Sequence, residues 1–179
     1  MAKHIIGIAG PIAAGKGTIA KYFEEKGAEV VRFSQPLFAA VDALALPLDR
    51  EHLSRLSNIV RVEFGQDVLA KALAAKVTKS EANLVVVDGI RRPGDVQAFA
   101  MMEGFVFVYV DAPIELRHSR MQKRGEKADD ATKSFDEFVQ DHEYEAEKLV
   151  TTLKESASVV IDNSGDVEAL KSELEKLIA

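Results

Sequence analysis

The segment Gly10-Pro-Ile-Ala-Ala-Gly-Lys-Gly-Thr18 constrains this chain more than any other. It follows an apolar run, His4–Ala9, and opens Lys16–Lys26, which reads as a helix stopped by Gly27. Two glycines five positions apart, followed at once by lysine, let a backbone wrap a phosphate with successive N–H groups. The next helix turns its positive end to the same anion. Lys16 then reaches the phosphates as a point charge. A ligand-free, glycine-rich turn would also fit the glycines, but it gives the lysine no purpose.

Strand-like and helix-like stretches alternate along the rest of the chain. Glu29–Phe33, Leu84–Asp88, Phe105–Asp111 and Ser158–Asp162 read as further strands. Between them the spacing predicts helices over Pro36–Leu46, Arg50–Phe64, Asp67–Thr78, Pro93–Glu103, Pro113–Arg124, Phe135 to about Leu153, and Val167–Ile178. The strands are continuous apolar runs, so the pattern predicts a parallel sheet covered on both faces. Ligands of such sheets bind beyond the carboxyl ends of the strands. The places to inspect are then Gly10–Thr18, Ser34–Gln35, Asp88–Arg92, Asp111–Pro113 and Asp162–Gly165, all polar or glycine-bearing.

With 179 residues, 47% of them hydrophobic, the chain suits one α/β domain. No repeat or linker marks a boundary inside residues 1–179. The apolar runs are too short to span a bilayer, and the N-terminus lacks the cationic region, apolar core and cleavage site of a signal peptide. The absence of cysteine is compatible with a cytoplasmic protein. A net charge of −6 argues against general nucleic-acid binding and is compatible with a monomer or small homo-oligomer.

Four further segments carry chemistry. Asp88 ends an apolar strand where a carboxylate holds Mg²⁺, or else orients an acceptor group, and Arg91 and Arg92 follow with guanidinium forks suited to phosphate. Capping by Asp88 and solvation of both arginines is the plainer alternative. Arg117, Arg120 and Arg124 fall within about 60° of one another on a helix and form a basic stripe about 10 Å long. Asn163 and Gly165 sit in a strand-to-helix turn. In Arg32-Phe33-Ser34-Gln35, Phe33 is suited either to stacking on a base or to the core, and Ser34 and Gln35 to bonding a base edge. Arg55 and Arg61 are further candidates for an acceptor phosphate. The four histidines show no ligand spacing and read as incidental. Asp129, Asp130 and the carboxylates from Asp136 to Glu147 read as a solvated helical face.

The Gly-Lys-Gly-Thr form of the first loop resembles that of adenylate and cytidylate kinases. The mid-loop glycine of many such enzymes is Ala13 here, and Gly17 stands where a hydroxyl residue usually follows the lysine. Ser-Gln-Pro-Leu after the second strand and Asp-Gly-Ile-Arg-Arg resemble phage-type deoxynucleoside monophosphate kinases. Val-Asp-Ala-Pro and Asn-Ser-Gly also occur in dephospho-coenzyme A kinases. The whole chain thus resembles the nucleoside monophosphate kinase branch of P-loop proteins.

That resemblance implies a three-layer α/β/α P-loop NTPase fold with a five-stranded parallel sheet of order 2-3-1-4-5. It also implies a helical acceptor-binding insertion over about residues 34–80 and a lid over about 120–135. ATP is then the donor, bound by Gly10, Ala13, Ala14, Gly15, Lys16, Gly17, Thr18 and Arg120, with backbone from Asn163 to Gly165 against adenine. Thr18 and Asp88 would hold Mg²⁺. Lys16, Asp88, Arg120 and Arg124 would be catalytic, and Phe33, Ser34, Gln35, Arg61, Arg91 and Arg92 would bind the acceptor. The partners implied are small-molecule nucleotides, with no nucleic acid and no membrane. A dephospho-coenzyme A kinase using Asp88 as a base, or a non-catalytic ATP-binding module, are the other readings.

Overall fold

Runs such as Leu84–Asp88 are apolar at successive positions, so both of their faces need cover, and a sheet between two helical layers provides it. A computed structural model describes residues 4–124, 130–143 and 145–178 and shows that arrangement. Strands β1 (His4–Ala9), β2 (Glu29–Arg32), β3 (Leu84–Asp88), β4 (Phe105–Asp111) and β5 (Val159–Asp162) pair in parallel in the order β2-β3-β1-β4-β5. This is the three-layer P-loop order expected above.

Between β1 and β2 runs α1 (Lys16–Glu25), and between β2 and β3 lie α2 (Gln35–Ala43), α3 (Arg50–Phe64) and α4 (Val68–Lys79). The second half carries α5 (Pro93–Ala100), α6 (Ile114–Arg124), α7 (Phe135–Asp141), α8 (Glu145–Thr152) and α9 (Val167–Glu175). Alternate strand residues face opposite layers. Ile5, Val31, Val85, Val87, Phe107 and Tyr109 pack with Leu73 and Val77 of α4, Phe99 of α5, and Val150 of α8. Ile6, Ile8, Val30, Val86, Val108 and Val110 pack on the other side with Ile19 and Phe23 of α1 and with Leu170 and Leu174 of α9.

One predicted helix is two. The stretch expected from Phe135 to about Leu153 stops at Asp141 and restarts at Glu145, then tightens into a 3₁₀ turn at Leu153–Ser156. His142 is the local cause: its Nδ1 bonds the carbonyl of Phe138 at 2.7 Å, while its backbone N–H turns to Val139 at 3.0 Å. A side chain that takes the carbonyl four residues back competes with the helical ladder. The histidine read as incidental therefore sits at the break between the two helices. Among the described residues no helix is long and apolar enough to cross a membrane.

Leu174 is fully buried under the sheet. Leu174→Ala should lower unfolding free energy by about 3 kcal/mol, read as a shifted urea midpoint with an unchanged slope.

Candidate functional site

The parallel register decides which loops meet. Asp88 lies opposite Ile8 on one side and Arg32 on the other. The loop leaving β1 therefore rises beside the loop leaving β3. At the start of the first loop Gly10 has φ 147°, and a Cβ there would lie 2.2 Å from the Val110 carbonyl oxygen, so only glycine lets the loop leave β1 beside β4. Ala13 adopts φ 60°, which gives the position of the missing mid-loop glycine a strained backbone.

Asn163 turns out to brace this loop. Its buried side chain donates from Nδ2 to the Ala14 carbonyl at 2.7 Å. A Cβ on Gly15 would come within 2.1 Å of that same nitrogen. Ala14 is fully buried in the α1-side core and lines neither of the two cavities at the strand ends. Gly165 is exposed at the start of the α9 turn.

Two cavities open beyond the strand ends. The larger, about 810 Å³, is bordered by Gly10, Ala13, Gly15, Lys16, Gly17, Thr18, Asp88, Arg120, Arg124 and Glu147. Lys16 Nζ donates to the carbonyls of Gly10 and Pro11 at 2.7 Å each. Burial pushes its pKa down to about 8, with Arg91 adding to the shift and Glu147 and Asp88 opposing it. Arg120 Nη1 is buried with no hydrogen-bond partner, a donor awaiting an acceptor at the cavity.

The smaller cavity, about 300 Å³, is lined by Arg32, Phe33, Ser34, Ser57, Arg61, Arg91 and Arg92, with Asp88 and Asp95. Phe33 serves both roles open to it. It borders this cavity while packing edge-on to Phe99 at 6.5 Å. Asp95 organises the arginine loop: its Oδ2 accepts from the Arg91 and Arg92 amides at 3.1 and 3.2 Å, and its Oδ1 faces Arg61 Nη2 at 3.6 Å. Burial raises the Asp95 carboxyl above its ordinary range, against those amides and Arg61. Arg92 is held by the Gln66 side chain at 2.8 Å. The cavities share Asp88, Gly89 and Arg91.

Several expected residues lie elsewhere. Gln35 is outside both cavities and accepts from Lys76 at 3.2 Å, because α2 begins at Gln35 and aims its side chain toward α4. Arg55 pairs with Glu51 on the exposed face of α3. Arg117 leaves the basic stripe and is buried: it donates to Ala112 at 3.0 Å, to Ile12 at 3.2 Å and to His142. With its fork spent on carbonyls, it braces the phosphate loop from the side. Of the carboxylates read as solvated, Asp130 and Glu147 are buried. The central part of the expected lid, 125–129, lies outside the described residues.

Sequence reasoning missed Arg32, Asp95 and Glu147 as site residues. Arg32 was findable, since parallel pairing puts the end of β2 level with Asp88. Glu147 was not, because its direction depends on the break at His142.

Thr18 is exposed and Asp88 half-buried, and both border the larger cavity. Among the described residues no group of three His, Cys, Asp or Glu could cage a metal. These donors fit a Mg²⁺ that shares phosphate oxygens and water, as Mg²⁺ usually does.

Asn163→Ala would orphan the buried Ala14 carbonyl and unpack Gly15. A loss of about 1–3 kcal/mol is expected in denaturant unfolding, together with faster amide hydrogen exchange across 10–16.

A model of the AAA domain family matches residues 6–146. A UPF0200 protein of Methanoregula boonei is 30% identical over 176 residues, covering 98% of this chain and 96% of its own. One from Pyrococcus furiosus is 31% identical over 180 residues, with 98% and 96% covered. Among solved structures, TT1252 from Thermus thermophilus aligns with TM-score 0.60 at 21% identity over 99% of this chain and 97% of its own. Shikimate kinase from Bacteroides thetaiotaomicron aligns with TM-score 0.62 at 14% identity over 97% and 96%. With the phosphate loop and strand order already described, the family model and the relatives show that the chain belongs to the AAA domain family and to the UPF0200 proteins, and the solved structures show that it shares their fold.

Proposed function

We propose that this protein transfers the γ-phosphoryl group of MgATP to the phosphate of a nucleoside or deoxynucleoside monophosphate. One observation carries the reading: the loop cavity and the arginine-lined cavity share Asp88, Gly89 and Arg91. Phosphates held one in each cavity would meet at those residues, and bringing two reactants together supplies much of such a rate.

The roles follow from placement. Backbone N–H groups of Gly10–Thr18 and Lys16 hold the donor, with the Asn163–Gly165 turn toward adenine. Mg²⁺, shared by Thr18, Asp88 and the phosphates, would neutralise charge on the transferred group. Arg120, whose Nη1 is unsatisfied, and Arg124 close over that charge from the lid, about 120–135. Arg61, Arg91 and Arg92 seat the acceptor phosphate, while Phe33 and Ser34 meet its base, with about 34–80 as the acceptor-binding insertion. A phosphate acceptor is already anionic, so positioning and neutralisation matter more than a base.

A hydroxyl acceptor, as on dephospho-coenzyme A, is the second reading. It is favoured by Asp88 alone, a carboxylate at the boundary of both cavities where a base would stand.

The test is acceptor-dependent ADP formation across ribo- and deoxynucleoside monophosphates and dephospho-coenzyme A. Stimulation by a monophosphate supports the proposal, and stimulation by dephospho-coenzyme A alone selects the second reading. No stimulation by any of them overturns both in favour of a non-catalytic module. Lys16→Ala should cut turnover at least about 100-fold with an unchanged melting temperature.

Lys16 also predicts a pH dependence. A bound phosphate favours the charged ammonium, so above about pH 8 binding must take up a proton. ATP affinity should hold below that pH and fall above it. In Lys16→Ala that fall should vanish in titration calorimetry.

A further inference from the structure

Among the described residues, Glu147 is the one buried carboxylate of the larger cavity that the proposed reaction leaves without a role. Its side chain is 8% exposed, yet it borders a space ringed by Lys16, Arg91, Arg120 and Arg124. One oxygen, Oε1, accepts from Arg91 Nη1 at 3.3 Å. The other, Oε2, is buried with no partner.

Arg91 is 57% exposed on its side chain and borders both cavities. A single 3.3 Å contact uses little of a fork that could grip an oxyanion through two short parallel bonds. Lys16, Lys21, Arg91, Arg120 and Arg124 around one space repel one another unless anions sit among them, and among the described lining residues Glu147 and Asp88 are the carboxylates. Once a phosphate enters, the same Glu147 charge becomes repulsive and its hold on Arg91 becomes competition.

We propose that Glu147 is a positioning residue that acts as a resident anion, holding Arg91 at the junction of the two cavities until an entering phosphate takes Arg91 from it. It thereby weakens phosphate binding and speeds phosphate departure. The contact also ties α8 to the β3–α5 loop, so exchange of partners at Arg91 loosens α8 from that loop. This rests on the larger cavity being a phosphate site, as proposed above, but not on the identity of the acceptor.

The test is binding of ADP and of inorganic tripolyphosphate to the full chain by titration calorimetry and stopped-flow. Glu147→Gln keeps shape and removes charge. It should bind both probes about fivefold more tightly, mostly through slower dissociation. In an Arg91→Ala background the same substitution should gain less than about twofold, because its effect passes through the guanidinium. Glu147→Asp, which keeps the charge but retracts it by one methylene, should gain about twofold, and it decides the matter if Glu147→Gln fails to fold.

Unchanged or weaker binding in the folded variants overturns the inference. So does an equal gain in the Arg91→Ala background, which would make Glu147 a general charge and not a partner of Arg91. If the wild-type chain binds neither probe, the phosphate site itself is wrong and this inference falls with it. Those results are distinguishable.

Discussion

The parallel pairing of β3 between β1 and β2 is the constraint on which the site depends. It brings Ile8, Asp88 and Arg32 level at the carboxyl edge of the sheet, so the phosphate loop, the acidic strand end and the arginine loop are neighbours by construction. Each loop then needs a brace of its own. Asn163 from beyond β5 and Arg117 from α6 bond the carbonyls of Ala14 and Ile12, while Asp95 collects the amides of Arg91 and Arg92. All three braces are buried, where a hydrogen bond is strong and an unpaired group is costly.

Electrostatics divides the site into groups that are satisfied and groups that are waiting. Arg117 is buried and gives its donors to two carbonyls and an imidazole, whereas Arg61, also buried, bonds the Gln66 carbonyl and faces Asp95 while still lining the smaller cavity. Arg120 keeps a buried donor with no acceptor, and Glu147 a buried acceptor with no donor. Lys16 has carbonyl partners, but burial has already lowered its hold on the proton. Such unsatisfied or shifted groups gather where a ligand completes the structure. Here they border both cavities: Lys16, Arg120 and Glu147 the larger one, and Asp95, whose Oδ1 has no hydrogen-bond partner, the smaller.

Helical periodicity was a good guide to which segments are helices and a poor one to where helical side chains point. Arg117, Arg120 and Arg124 do share a face of α6, yet Arg117 is captured by the Ala112 and Ile12 carbonyls of two neighbouring loops. The stretch from Phe135 reads as a single helix because nothing in its local pattern opposes one. His142 breaks it by bonding Phe138 and receiving Arg117, a residue 25 positions away. Glu147 looked solvated on the unbroken helix. In the folded chain it borders the larger cavity.

Local chemistry alone determined the sheet and the phosphate loop. Continuous apolar runs must be covered on both faces, and glycines before a lysine at a helix start have few other uses. Tertiary structure decided which charges remain available to a ligand. Whether Arg61, Arg91, Arg117 or Glu147 faces solvent, a carbonyl or an open cavity depends on groups far away in sequence, and no spacing rule records them. The energy of a buried charge is set by its whole surroundings, and those surroundings exist only once the chain has folded.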